Sequence, residues 1–179
     1  MLGDSLASLC DRHAVVTESW VDDDHLRAIG RVVVAATWTE TMLDHVVRVL
    51  VDDGPIYDEM VVGQQVSRLS QLAVKLATRV VMDSQAVTDL TTWTQRLTEA
   101  QENRNRIVHA AHIGSEDGSD GRTLMVETRG KRRSPPVEVT ESAQSILALA
   151  DDFDRLSAEL SELTGRLVAG YIGRSSTAR

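Results

Sequence analysis

The sequence predicts an all-α fold, a bundle of four to five helices with a small β-hairpin inserted before the last helix. Three observations predict it. Apolar residues recur every three or four positions over most of the chain, the spacing that lines them up on one face of a helix turning about 100° per residue. Helix stop and start signals such as Gly54-Pro55 and Asp83-Ser84 punctuate the runs. Only between residues 123 and 140 does the period give way to strand-like patterning.

Residues 1–21 form an N-terminal segment in which Leu2, Leu6 and Leu9 fit one short helix, docked or frayed. Asp22-Asp23-Asp24 supplies a cap and the negative charge that suits a helix N-terminus. A long helix is expected from there to Asp53, with the stripe Leu26, Ile29, Val33, Ala36, Leu43, Val47 and Leu50, ended by Gly54-Pro55. A second helical stretch is expected over 57–82, with Gly63 as a candidate break and Val66, Leu69, Leu72, Leu76 and Val80 as its stripe. Asp83-Ser84 caps a third helix, expected to run to about Ile113 on Val87, Leu90, Trp93, Leu97, Ala100, Ile107 and Ala111. Residues 114–139 read as a loop and hairpin insertion. Gly114 to Arg122 is the loop, 123–128 and 136–140 are the strands, and Arg129 to Arg133 is a basic tip. Thr140 is expected to cap the last helix, whose Ile146, Leu149, Phe153, Leu156, Leu160, Leu163 and Leu167 alternate in spacings of three and four, a heptad seam. Residues 173–179 read as a frayed tail. No linker divides the chain, so 1–179 is expected to be one domain.

With 179 residues, 42% of them apolar and 26% charged, the chain is long enough for a real core. Aromatics make up only 3%, so packing rests on aliphatic side chains, with Trp20, Trp38 and Trp93 expected as core or interface anchors. Cys10 is the sole cysteine, which excludes an intramolecular disulfide and fits a reducing compartment. No cysteine-based metal set exists, the five histidines follow no His-Glu-x-x-His pattern, and no metal or other cofactor is expected. Met1 to Cys10 lacks the features of a signal peptide. No apolar run approaches the roughly 20 residues of a membrane span, so a soluble cytoplasmic protein with no membrane partner is expected. The net charge of −8 argues against a non-specific nucleic-acid coat. The charge is uneven, however: Arg104 to Arg133 holds seven basic residues against four acidic ones.

That basic segment opens on Gln101-Glu102-Asn103-Arg104-Asn105-Arg106-Ile107-Val108-His109. Arg104 interrupts the apolar stripe of the third helix. Gln101, Asn105 and His109 are four apart and share a face, with His112 following. Arg104 lies about 140° round from His109. Arg104-Asn105-x-x-x-His109 resembles the active motif of the HEPN superfamily: an arginine, a polar residue, a short spacer and a histidine, late in a helix of an α-helical bundle. The resemblance implies a metal-independent endoribonuclease acting as a homodimer, its two motifs meeting across a two-fold axis. It also implies a toxin or phage-defence setting, with an antitoxin or other regulatory protein as a partner.

The chemistry of the residues agrees with that. RNA carries its own nucleophile, the 2′-hydroxyl. Histidine titrates near neutral pH and serves as acid or base. Arginine grips two phosphate oxygens at once, and asparagine positions by hydrogen bonds. His109 is therefore the expected general acid/base, Arg104 the phosphate clamp and Asn105 the positioning residue. Arg106, His112, Arg129, Lys131, Arg132 and Arg133 are the expected RNA-binding residues. The same positions admit two other readings. In one, Glu99 or Glu102 pairs with Arg104 and His109 fills a polar pocket. In the other, the bundle is a non-catalytic module that binds a protein, nucleotide or RNA.

Overall fold

The seam from Ile146 to Leu167 is buried along its whole length, and it sets the architecture. In a computed structural model of the chain, residues 21–51, 64–109, 111–113, 121–126 and 137–177 are described. They form helices α1 (Asp23–Val51), α2 (Val66–Val80) and α3 (Ser84–His109), then strands β1 (Ala111–Ile113), β2 (Gly121–Val126) and β3 (Val137–Ser142), then helix α4 (Ala143–Thr177). The described part of the protein is thus predominantly helical. The seam of α4 packs most extensively on α1, and next on α3; α2 closes the other side of α1.

Side-chain caps fix the starts of α1, α3 and α4, whereas α2 starts after Gln65 with no side-chain cap hydrogen bond. The Asp22 carboxylate accepts the His25 backbone N–H at 2.9 Å, Asp83 accepts that of Ala86 at 3.0 Å, and Ser142 Oγ accepts that of Ser145 at 3.0 Å. The last of these corrects the expected cap. Thr140 is held in the antiparallel ladder opposite Thr123, and the ladder runs on to Ser142 opposite Gly121. The helix therefore begins two residues later than expected. The end of α3 is also corrected. It stops at His109, and Ala111–Ile113 is a strand paired with Thr123–Met125 rather than a further helical turn. The sheet is antiparallel, in the order β1-β2-β3. The expected strands overlap β2 and β3. The N-terminal segment 1–20, the break near Gly63, the loop 114–120 and the basic tip lie outside the described residues.

The core is aliphatic. Val32, Ala36, Leu43 and Val47 of α1 meet Ile146, Phe153, Leu160 and Leu167 of α4, all buried. Burying such side chains is worth about 1.5–3 kcal/mol each. The inward face of α1 is rotated from the expected one in its first half. Leu26 is exposed and Val33 only half-buried, while His25, Ala28, Val32, Ala35 and Thr39 are buried. Three consecutive valines, 32–34, leave the helical phase open, and two polar residues belong to the inward face. His25 Nδ1 faces the Asp22 carboxylate at 2.9 Å and Nε2 donates to the Glu141 carbonyl at 3.2 Å, joining the start of α1 to the β3–α4 corner. Thr39 Oγ1 lies 2.8 Å from Ser157 Oγ and 3.1 Å from the Phe153 carbonyl, tying α1 to α4. Trp93 is buried, and its Nε1–H donates to the Leu156 carbonyl at 2.9 Å, tying α3 to α4. Trp38, expected as a core or interface anchor, is exposed on α1 and lies outside the core.

Surface ion pairs cross the same seams. Arg31 bonds Asp154, Arg96 bonds Glu159 with both of its terminal nitrogens, and Arg166 bonds Asp89 at 2.6 Å. The Arg166 hydrogen bond, then that of Gln85, holds the Asp89 carboxyl below the ordinary carboxylate range. A carboxylate whose folded value is depressed stabilises above its unfolded value, and the contribution is lost as pH falls through the folded one. Asp89→Asn is therefore expected to lower stability near neutral pH, with the deficit against wild type closing in acid, as urea denaturation at a series of pH values would measure. In the core, Phe153→Ala is expected to cost about 3–5 kcal/mol in the same assay, whereas the exposed Leu147→Ala should cost less than about 0.5 kcal/mol.

Candidate functional site

The last two turns of α3 carry the motif, and three contacts set its geometry. Gln101 Nε2 donates to Glu40 Oε1 of α1 at 2.9 Å. Arg106 Nη2 donates to Glu141 Oε1 at 3.0 Å, and Glu141 Oε2 accepts from Ser145 Oγ at 2.7 Å. Arg104 Nη1 donates to Asn105 Oδ1 at 2.8 Å. The first two pin α3 to α1 and to the β3–α4 corner. The third sets two motif residues against each other.

Arg104 stands in line with Leu90, Trp93, Leu97, Ala100 and Ile107, all buried. Its own side chain is half-buried, and its Nε is shut away from solvent with no hydrogen-bond partner. The alternative pairing with Glu99 or Glu102 is not made; the guanidinium bonds Asn105 instead. Arg104 and Asn105 open into a groove of about 540 Å³ between α1, the start of α2 and α3, lined also by Glu40, Gln64, Gln65 and Gln101. The groove's lining is mixed, with polar and apolar surface in nearly equal share, and side-chain amides are its commonest polar groups. Such groups both donate and accept, which suits a ligand with a mixed hydrogen-bonding edge.

His109 is the final residue of α3 and is exposed. It does not line the groove, and among the described residues no hydrogen bond links it to Arg104. The 140° rotation anticipated from the spacing is what separates them. Among the described residues His109 fills no polar pocket. Arg106 is engaged by Glu141, and its Nε, like that of Arg104, is buried without a partner among the described residues. His112 falls on β1, opposite Leu124. Arg129, Lys131, Arg132 and Arg133 lie outside the described residues. Among the described residues no group of three His, Cys, Asp or Glu side chains is placed to hold a metal ion, and no helix is long and apolar enough to cross a membrane.

Glu40, Gln64 and Gln65 were not expected at the site. Nothing local in the sequence marks them, because only the packing of α1 and α2 on α3 brings them there. Comparison of the chain with known protein families, with curated proteins and with solved structures finds no match in any of the three.

A polar head group in an apolar stripe, with one nitrogen buried and unpartnered, costs stability. Arg104→Met fits the stripe without that cost. It is expected to raise the unfolding free energy by about 1–2 kcal/mol while removing whatever the guanidinium does in the groove. Urea denaturation of the variant beside wild type measures the first effect.

Proposed function

We propose that the chain is a metal-independent endoribonuclease of HEPN type. The observation that carries this reading is the placement of Arg104-Asn105-x-x-x-His109 at the end of α3, with an exposed imidazole and with the guanidinium and amide bonded together at an open groove. In the reaction the 2′-oxygen attacks phosphorus and the bond from phosphorus to the 5′-oxygen breaks. The 2′-hydroxyl proton goes to a base and a second proton reaches the leaving oxygen. The products are a 2′,3′-cyclic phosphate and a 5′-hydroxyl. His109 serves as the acid/base, Arg104 holds the non-bridging phosphate oxygens, and Asn105 orients the guanidinium through the bond it already accepts.

One motif offers one imidazole, and it does not line the groove. A homodimer supplies two histidines and two arginines, so the reading assigns the reaction to a composite site between copies. Basic residues of the 129–133 segment and His112 would add backbone contacts to RNA. A toxin or phage-defence role, held in check by an antitoxin, is the setting the resemblance implies. One observation favours a second reading, a non-catalytic module that binds protein, nucleotide or RNA: the amide-lined groove excludes His109.

Purified protein incubated with total cellular RNA in EDTA distinguishes the two. Cyclic-phosphate ends are expected from wild type, with loss of about 10²-fold or more in His109→Ala and in Arg104→Ala. Equal cleavage by His109→Ala and wild type would remove the assignment.

A further inference from the structure

Seven residues of α1 stand in one outward line: Asp23, Arg27, Gly30, Val34, Trp38, Thr41 and His45, all of them exposed. Val34 retains 66% of its surface and Trp38 58%. Two large apolar side chains one turn apart at that exposure form a patch that water does not favour. Gly30 lies one turn further on. A Cβ there would meet nothing within 4 Å, and glycine weakens a helix interior. Nothing among the described residues packs against it, and the missing side chain leaves room for another surface to approach closely.

The line reads alike from both ends. Its steps are four, three, four, four, three and four residues, with Val34 at the centre. We propose that this face pairs with the same face of a second copy, the two α1 helices antiparallel and related by a two-fold axis through Val34. Such an interface is isologous, each residue meeting its mirror position in the line. Val34 then meets Val34. Trp38 lies over Gly30, the largest side chain against the smallest. Asp23 faces His45, a carboxylate against an imidazole. Arg27, whose guanidinium is turned to Asp24 at 2.7 Å, lays its stem against Thr41. Size is complementary in one register, the imidazole N–H and the carboxylate match as hydrogen-bond donor and acceptor, and the antiparallel macrodipoles agree with it. A partner of other chemistry would need neither match.

The pairing stands apart from the nuclease reading but bears on it. A two-fold axis perpendicular to both helices keeps each flank of α1 on one side of the pair. Glu40 stands about 120° round from Val34 and holds Gln101 of α3. Both motif helices therefore lie on the same side of the dimer, where one RNA could reach both.

Sedimentation equilibrium of the full chain in the micromolar range tests the pairing. A dimer is expected for wild type. Trp38→Glu and Gly30→Leu should each weaken it by at least roughly tenfold, although leucine is the better helix former and far-UV circular dichroism should show the helices intact. Asp23→Lys should weaken it too, and adding His45→Glu should restore it. A monomeric wild type overturns the proposal, as does a dimer unchanged by Trp38→Glu and Gly30→Leu. RNA cleavage is measured separately on the same wild-type preparation: a dimer weakened by Trp38→Glu that yields no cyclic-phosphate ends keeps the pairing and removes the nuclease reading, and cleavage by a dimer that both substitutions leave unchanged does the reverse.

Discussion

The buried line of α4 from Ile146 to Leu167 is the constraint on which the rest depends. Every other helix takes its place from it, directly or through α1. An aliphatic seam is strongly stabilising but almost without direction. Leu, Ile and Ala packed against Val and Ala would tolerate a slide of one turn with modest loss. What removes that freedom is a few polar ties inside the seam. Thr39 meets Ser157 and the Phe153 carbonyl, and Trp93 meets the Leu156 carbonyl. A slide would break them and strand the hydroxyls or the indole N–H in an apolar interior, at about 1–3 kcal/mol for each orphaned group. The apolar line supplies the stability and the polar ties the register. Register in turn decides that Gln101 meets Glu40 and that a groove opens beside Arg104.

What the sequence disclosed follows the range of the interactions responsible. Asp22 and Asp83 cap their helices through bonds three residues long, and both were legible. The α4 seam was legible because its period is unbroken. The end of α3 was not. Ile107 and Ala111 continue the helical stripe, and only pairing with Thr123–Met125 turns 111–113 into strand. Thr140 and Ser142 are equally good caps, and the length of the β2–β3 ladder chooses between them. The phase of α1 was obscured by Val32, Val33 and Val34, of which any one could face inward. Trp38 reads from composition as a core or interface anchor; the helical phase takes it out of the core and puts it in line with Val34 on the outer face of α1.

The candidate site divides in the same way. Arg104, Asn105 and His109 stand out in the sequence because they are close together and chemically distinct from the stripe around them. The groove was not found, because Glu40, Gln64 and Gln65 reach it only through helix packing. Arg106 shows a tie of longer range. It is a cation beside the motif, and Glu141, more than thirty residues on, engages it and fastens α3 to the β3–α4 corner. A cation's neighbours in sequence say little about whether its charge is already used.

The relation between Arg104 and His109 then becomes a question of which motion is cheap. The two are fixed on one rigid helix, about 140° apart, and α3 is tied at both Gln101 and Arg106. Bending the helix to join them would break those ties and the buried packing of Trp93, Leu97 and Ile107. Rotating the Arg104 side chain costs far less. Its Nε already lacks a partner, so swinging outward trades an unsatisfied buried group for a solvated one and gives up only the bond to Asn105. On the nuclease reading, a phosphate presented at the mouth of the groove would draw the guanidinium out, and an imidazole from the second copy would meet it there. The apolar position of Arg104 would then serve the reaction, because a guanidinium held poorly in its resting place is readily transferred to an anion.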